Sequence, residues 1–273
     1  MAGMRIWHYA LGLILAGKPF PAHTPPPQGK FLHRVATVDG TTYRYSVFLP
    51  AGWTATRTWP VVLSLHGGGG YGSDGIKQAT EGLGRAIQRH PERFPVLAVF
   101  PQVPPTGPGW QGVGAQVALL ALDQTIEEFS GDSAQVALTG LSIGGNGAWY
   151  LAFHNPRRFS GLLVVCGFAA ERMGTMYPIL YPSLVPGVAD PSTALAAQIR
   201  HIPIWIFHGT ADRTVPVDHS RRIVAALRAL DAPVRYSELP GVDHDAWDQA
   251  YEMPEVAQWL RHPGAQGRAL TDE

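Results

Sequence analysis

Short apolar runs alternate along this chain with longer segments whose apolar positions recur at helical spacing. Arg34 to Val38, the Asp39-Gly40 turn and Tyr43 to Leu49 predict an antiparallel hairpin. Further strands are predicted at Pro60–Leu65, Pro95–Phe100, the run ending at Leu141, Leu162–Cys166, Ile204–Phe207 and Val234–Glu238. The predicted helices are Ile76–His90, Gln116–Phe129, a segment opening just after Ser142, His219–Leu230 and a last one ending near Leu260. No internal repeat is visible. Short apolar strands separated by helices imply an α/β fold. Its sheet is mostly parallel and twisted, with helices on both faces and the hairpin at the N-terminal end. Ligands of such sheets bind beyond the carboxyl ends of the strands.

One strand-to-helix junction carries a chemical signature. Val136-Ala137-Leu138-Thr139 runs into Gly140-Leu141-Ser142-Ile143-Gly144 and then into a helical pattern. Gly-x-Ser-x-Gly in that context is the form of a nucleophile elbow, where glycines on either side make room for a sharp turn. A serine hydroxyl needs a base beside it and a carboxylate to orient that base. Asp212 and His244 follow in that order, each in a loop predicted to leave a strand's carboxyl end. Eleven histidines compete for the role of base. His66 and His208 precede glycines at strand ends and read as structural. His154 falls on the elbow helix. Asp243 and Asp245 flank His244, but neighbours in sequence point away from its ring. Asp218 is the rival acid, and it reads better as the N-cap of the next helix.

The run Gly67-Gly68-Gly69-Gly70 follows the strand Val61–Leu65. No Gly-Lys-Ser/Thr follows, which argues against a phosphate loop. Glycines there let a backbone N–H approach a developing oxyanion. Gly68 and Ile143 are the expected donors of an oxyanion hole. Tyr71, Trp110 and Trp247 are candidate walls of a substrate site.

These landmarks resemble the α/β-hydrolases, and within them the esterases and predicted peptidases related to the prolyl oligopeptidase catalytic domain. The resemblance rests on Leu65-His66-Gly67-Gly68-Gly69, Pro101-Gln102 with Trp110, the Ser142 elbow, Pro203 to Gly209 with Asp212 and Val215-Pro216, and Gly241-Val242-Asp243-His244. It covers residues 31–262, read as one catalytic domain after an extension (1–30) and before a tail (263–273). It implies a serine carboxylic-ester hydrolase with Ser142, Asp212 and His244 as its triad. A serine peptidase, a feruloyl or polyester esterase and an acyltransferase are the alternatives. About 30 residues precede the catalytic fold, so no β-propeller of the large oligopeptidases is expected. The glycine run exceeds the usual two or three, and Phe168 to His201 is longer than a connection needs. Within it Met173, Met176, Tyr177, Leu180, Tyr181 and Leu184 suggest a small cap. Met176, Tyr177, Leu180 and Tyr181 are expected to shape the substrate, and Pro191–Arg200 is expected to be helical.

Composition narrows the partners. Twenty-one basic residues balance 21 acidic ones, so no nucleic-acid surface is expected. No metal or organic cofactor is expected; the substrate is a small-molecule ester. The lone cysteine, Cys166, excludes an internal disulfide and reads as a buried strand residue. Ile6 to Gly17 is too short to span a bilayer and lacks a clean cleavage site. A frayed cytoplasmic extension is expected there in preference to an export signal.

Overall fold

The computed structural model describes residues 28–264. The apolar N-terminal run and most of the tail lie outside the described residues. An eight-stranded sheet has the order β1-β2-β4-β3-β5-β6-β9-β10. Its strands are β1 (Lys30–Val38), β2 (Thr41–Leu49), β3 (Trp59–Leu65), β4 (Leu97–Pro101), β5 (Gly131–Leu141), β6 (Gly161–Val165), β9 (Ile204–Gly209) and β10 (Val234–Leu239). Strands β1 and β2 pair antiparallel around Asp39 and Gly40, both at positive φ, and β2 joins β4 antiparallel. All other pairs in the sheet are parallel. Residues 168–201 carry a two-stranded antiparallel hairpin of their own, β7 (Arg172–Met173) and β8 (Leu180–Tyr181), followed by α4 (Pro191–Ile199).

Alternation along the strands divides the interior into two layers. Val61, Leu63, Ile204 and Ile206 face the layer under α2 (Val113–Phe129), α3 (Ile143–His154), α4 and α5 (Asp218–Arg228). Val62, Trp205 and Phe207 face the layer under α1 (Gly82–Arg89), α6 (Trp247–Ala250) and α7 (Pro254–Arg261). The central strands are therefore apolar on both faces, as a sheet covered on both sides requires.

Three local expectations change. The helix expected over 76–90 is broken into a 3-10 turn at Lys77–Ala79 and α1. Gly82 has φ +49°, and Glu81 before it is extended. The last helix, α7, opens on Pro254 and ends at Arg261 as expected, with the short α6 before it. Asp218 does not cap α5: it is the helix's first residue and pairs with Arg221 at 3.2 Å. Cys166 lies one residue beyond β6, buried, at φ +51°.

Leu63 is wholly buried in a central strand. Leu63→Ala should lower the unfolding free energy by about 2–5 kcal/mol. Urea titration checks this, with a reduced midpoint and an unchanged slope expected.

Candidate active site

Sterics at the elbow place the serine. Ser142 has φ +54° and ψ −116°, a conformation that costs a non-glycine residue about 1–3 kcal/mol. A Cβ on Gly140 would strike the Gly144 carbonyl, and one on Gly144 would strike the carbonyls of Leu65 and His66. Only glycines let α3 start this close to the ends of β3 and β5. The turn is fixed by Ser142 N–H donating to Val165 O (2.9 Å) and Asn146 N–H donating to Ser142 O (3.1 Å).

The loop after β9 delivers Asp212, and the loop after β10 delivers His244. His244 Nε2 lies 2.8 Å from Ser142 Oγ, and its Nδ1 lies 2.7 Å from Asp212 Oδ2. The other Asp212 oxygen accepts the backbone N–H groups of Thr214 (2.9 Å) and Val215 (2.7 Å). His208 Nε2 also lies 3.2 Å from Asp212 Oδ2 and donates to Val215 O at 2.8 Å. Burial alone would push the Asp212 pKa up. Hydrogen bonds from His208, His244 and the Val215 N–H outweigh it and hold the carboxyl well below the ordinary carboxylate range. Asp243 instead takes the Arg213 side chain and two backbone N–H groups.

Cys166, His208 and Asp212 bring one ligand-type atom each within 4.8 Å of one another. Both His208 nitrogens already have protein partners, Ser220 Oγ and Val215 O. Burial pushes the Cys166 thiol pKa up, away from the thiolate that binds metals. The donor set fits a hydrogen-bonded support for Asp212 better than an ion.

The glycine loop lies beside the serine. Gly68 opens a single 3-10 turn and Ile143 opens α3, so neither N–H has a partner within its own turn. Both residues line the cavity that holds Ser142 and His244. His66 supports this loop. Its Nδ1 donates to Gly67 O (2.7 Å), and its Nε2 accepts the Val103 N–H (3.3 Å). Glu81, carried by the break before α1, accepts the Gly67 N–H at 3.1 Å.

The cavity measures about 310 Å³. Tyr177, Tyr181 and Trp247 line it, together with Met176, Phe168, Thr214, Glu81 and Arg172. Three expected wall residues do not. Trp110 is fully buried behind the glycine loop, packs edge-on against His66 and donates its Nε1–H to His66 O (3.1 Å). The Tyr71 hydroxyl is turned to Tyr181 at 3.0 Å and lies off the cavity lining. Leu180 points to solvent, 48% exposed, because the two residues of β8 face opposite ways and Tyr181 takes the inward position. The hairpin is anchored over the serine by α3. Asn146 donates to Phe168 O (2.9 Å), and Gln111 joins Asn146 Oδ1 to Pro182 O.

Glu81 and Arg172 escape the sequence reading. Glu81 sits where an unbroken helix was expected. Arg172 carried one available signal, being the sole lysine or arginine between Arg158 and Arg200.

The sequence profile of the prolyl oligopeptidase family matches residues 110–263, from Trp110 through His244. The chain belongs to the prolyl oligopeptidase family. It is 26% identical over 80% of its length to an uncharacterized secreted protein of Arthroderma benhamiae, covering 24% of that protein. It is 29% identical over 46% of its length to the probable carboxylic ester hydrolase LipM of Mycobacterium tuberculosis, covering 36% of it. The chain thus spans well under half the length of these curated relatives. A thermostable esterase of known structure superposes with a TM-score of 0.67 at 26% identity, over 84% of this chain and 62% of the esterase. The fold is that of the α/β-hydrolases. Among the described residues, no helix is long and apolar enough to cross a membrane.

Burial pushes the His66 pKa down to about 4 from its ordinary 6.5. Between those values the unfolded chain binds the proton and the folded chain does not, so stability rises with pH. On acidification through that window the fold should lose on the order of 3 kcal/mol from this residue. Unfolding free energies measured across that window should show a shallower slope in His66→Gln.

Proposed function

We propose that this protein is a serine carboxylic-ester hydrolase acting through an acyl-enzyme on small to medium esters, short-chain or aromatic. The reading rests on one observation above all: the His244 ring touches Ser142 through one nitrogen and Asp212 through the other, at the floor of a cavity of ester size. In the proposed reaction Ser142 Oγ attacks the ester carbonyl carbon while His244 Nε2 takes its proton. Asp212, held ionised, orients the ring and balances its charge. The N–H groups of Gly68 and Ile143 receive the negative oxygen of the tetrahedral intermediate. His244 returns the proton to the departing alcohol. It then takes a proton from water as that water attacks the acyl-enzyme carbonyl carbon, and passes the proton to Ser142 Oγ as the acyl–Oγ bond breaks and the acid leaves.

Family membership favours a second reading, cleavage of a peptide bond by the same three residues. Turnover of 4-nitrophenyl esters beside aminoacyl 4-nitroanilides separates the two. Product analysis with added alcohol separates hydrolysis from acyl transfer.

Ser142→Ala should lower kcat by about 10⁴-fold or more and abolish labelling by a fluorophosphonate probe. His244→Ala should cost about as much, and Asp212→Asn somewhat less. If Asp218→Asn were the crippled variant and Asp212→Asn active, the acid would be misassigned.

The cavity wall can be tested separately. Met176→Ala and Tyr177→Ala should change the ratio of hexanoate to acetate ester turnover, whereas Leu180→Ala should leave it within about twofold. A chain-length series of 4-nitrophenyl esters measures this.

A further inference from the structure

Arg172 stands apart from the other cations of the molecule. Lys30 and Lys77 are exposed. Among the described residues, every other arginine that is not exposed has a carboxylate within 4.0 Å: Arg34 with Glu128, Arg85 with Asp248, Arg93 with Glu92 and Arg158 with Asp123. Arg172 is half-buried, and no carboxylate pairs with it among the described residues. Its Nη2 donates to Thr214 O at 2.6 Å, and its guanidinium lies over the Phe168 ring at 4.9 Å. Those contacts fix the plane of the group and use one of its five N–H donors. The group lines the same cavity as Ser142 and His244. Burial pushes its pKa down, while the Asp212 charge works in the opposite direction. A desolvated charge of this kind is costly until an opposite charge meets it.

We propose that Arg172 is a specificity-determining residue that binds a carboxylate on the substrate, so that the preferred esters carry an anionic group on their acyl or alcohol half. This rests on the ester-hydrolase reading. The guanidinium fork matches a carboxylate geometrically, and its partners Phe168 and Thr214 hold it in place before binding. Among the described residues, Arg172 is the one lysine or arginine that lines this cavity.

The test compares matched esters on wild type, Arg172→Gln and Arg172→Lys. One pair is 4-nitrophenyl hydrogen glutarate against 4-nitrophenyl hexanoate, with the charge on the acyl half. The other is 4-acetoxybenzoate against its methyl ester, with the charge on the leaving group. In at least one pair, Arg172→Gln should lower the anionic-to-neutral ratio of kcat/KM by roughly tenfold or more. Arg172→Lys, which keeps the charge without the fork, should fall between. The pair that responds identifies the half that bears the anion. Ratios unchanged in both pairs would overturn the proposal, including the case where both esters of a pair lose activity equally; Arg172 would then only position the Asp212 loop through Thr214. Neutral esters report on the underlying reading by themselves. Their turnover with unchanged ratios leaves the hydrolase standing and removes the anion site, whereas no turnover of any ester by wild type overturns both.

Discussion

The molecule depends on a backbone-to-backbone approach that excludes side chains. Gly144 lies against the carbonyl of Leu65, and Gly140 lies against Gly144 itself. Parallel pairing of β3 and β5 sets Leu65 opposite Gly140. That register brings the loop leaving β3 alongside the turn leaving β5. The glycine loop and the serine are therefore placed by one contact. A Cβ on Gly67 would strike the Leu141 side chain, so the closeness extends into the loop. The strain at Ser142 is held by the many hydrogen bonds of the sheet and helix that flank it.

Burial of charge is the second organising constraint. Asp212 is almost wholly removed from water, yet it meets two imidazoles and two backbone N–H groups. One imidazole, His244, reaches the serine. The other, His208, is locked between Ser220 and Val215 and holds the carboxylate from behind. Arg172 reaches the same loop through Thr214 O. Asp212, its hydrogen-bond support and Arg172 are thus tied to one short segment after β9.

The strands, the hairpin and the order of serine, aspartate and histidine were legible in the sequence, because each depends on local pattern: apolar runs, a two-residue turn, glycines around a serine. Less legible was whatever depends on which way a side chain turns. Trp110 and Tyr71 have the composition of wall residues but are drawn inward by partners far along the chain, His66 and Tyr181. Leu180 and Tyr181 are adjacent, and the parity of a two-residue strand decides which one reaches the cavity. Glu81 became visible only with a break before α1 that the helical spacing of 76–90 concealed. Asp218 sits one position past the cap because α5 starts a residue earlier than its pattern suggests.

The β7–β8 hairpin forms no ladder with the main sheet. It is held over the serine by a handful of hydrogen bonds from α3 and its neighbour Gln111 and by its own aromatic residues. Substitutions at its exposed positions, such as Met173, Met176 and Leu180, therefore leave the eight-stranded core intact and draw little on the margin that keeps the fold above its stability threshold, whereas Phe168 and Tyr181 line the cavity and also belong to the layer under α2 to α5. Ser142, Asp212 and His244 stand at the ends of buried strands, and the exposed hairpin positions stand apart from those strands. Such a separation lets sequence vary at those exposed positions without each change having to be offset by another that restores folding.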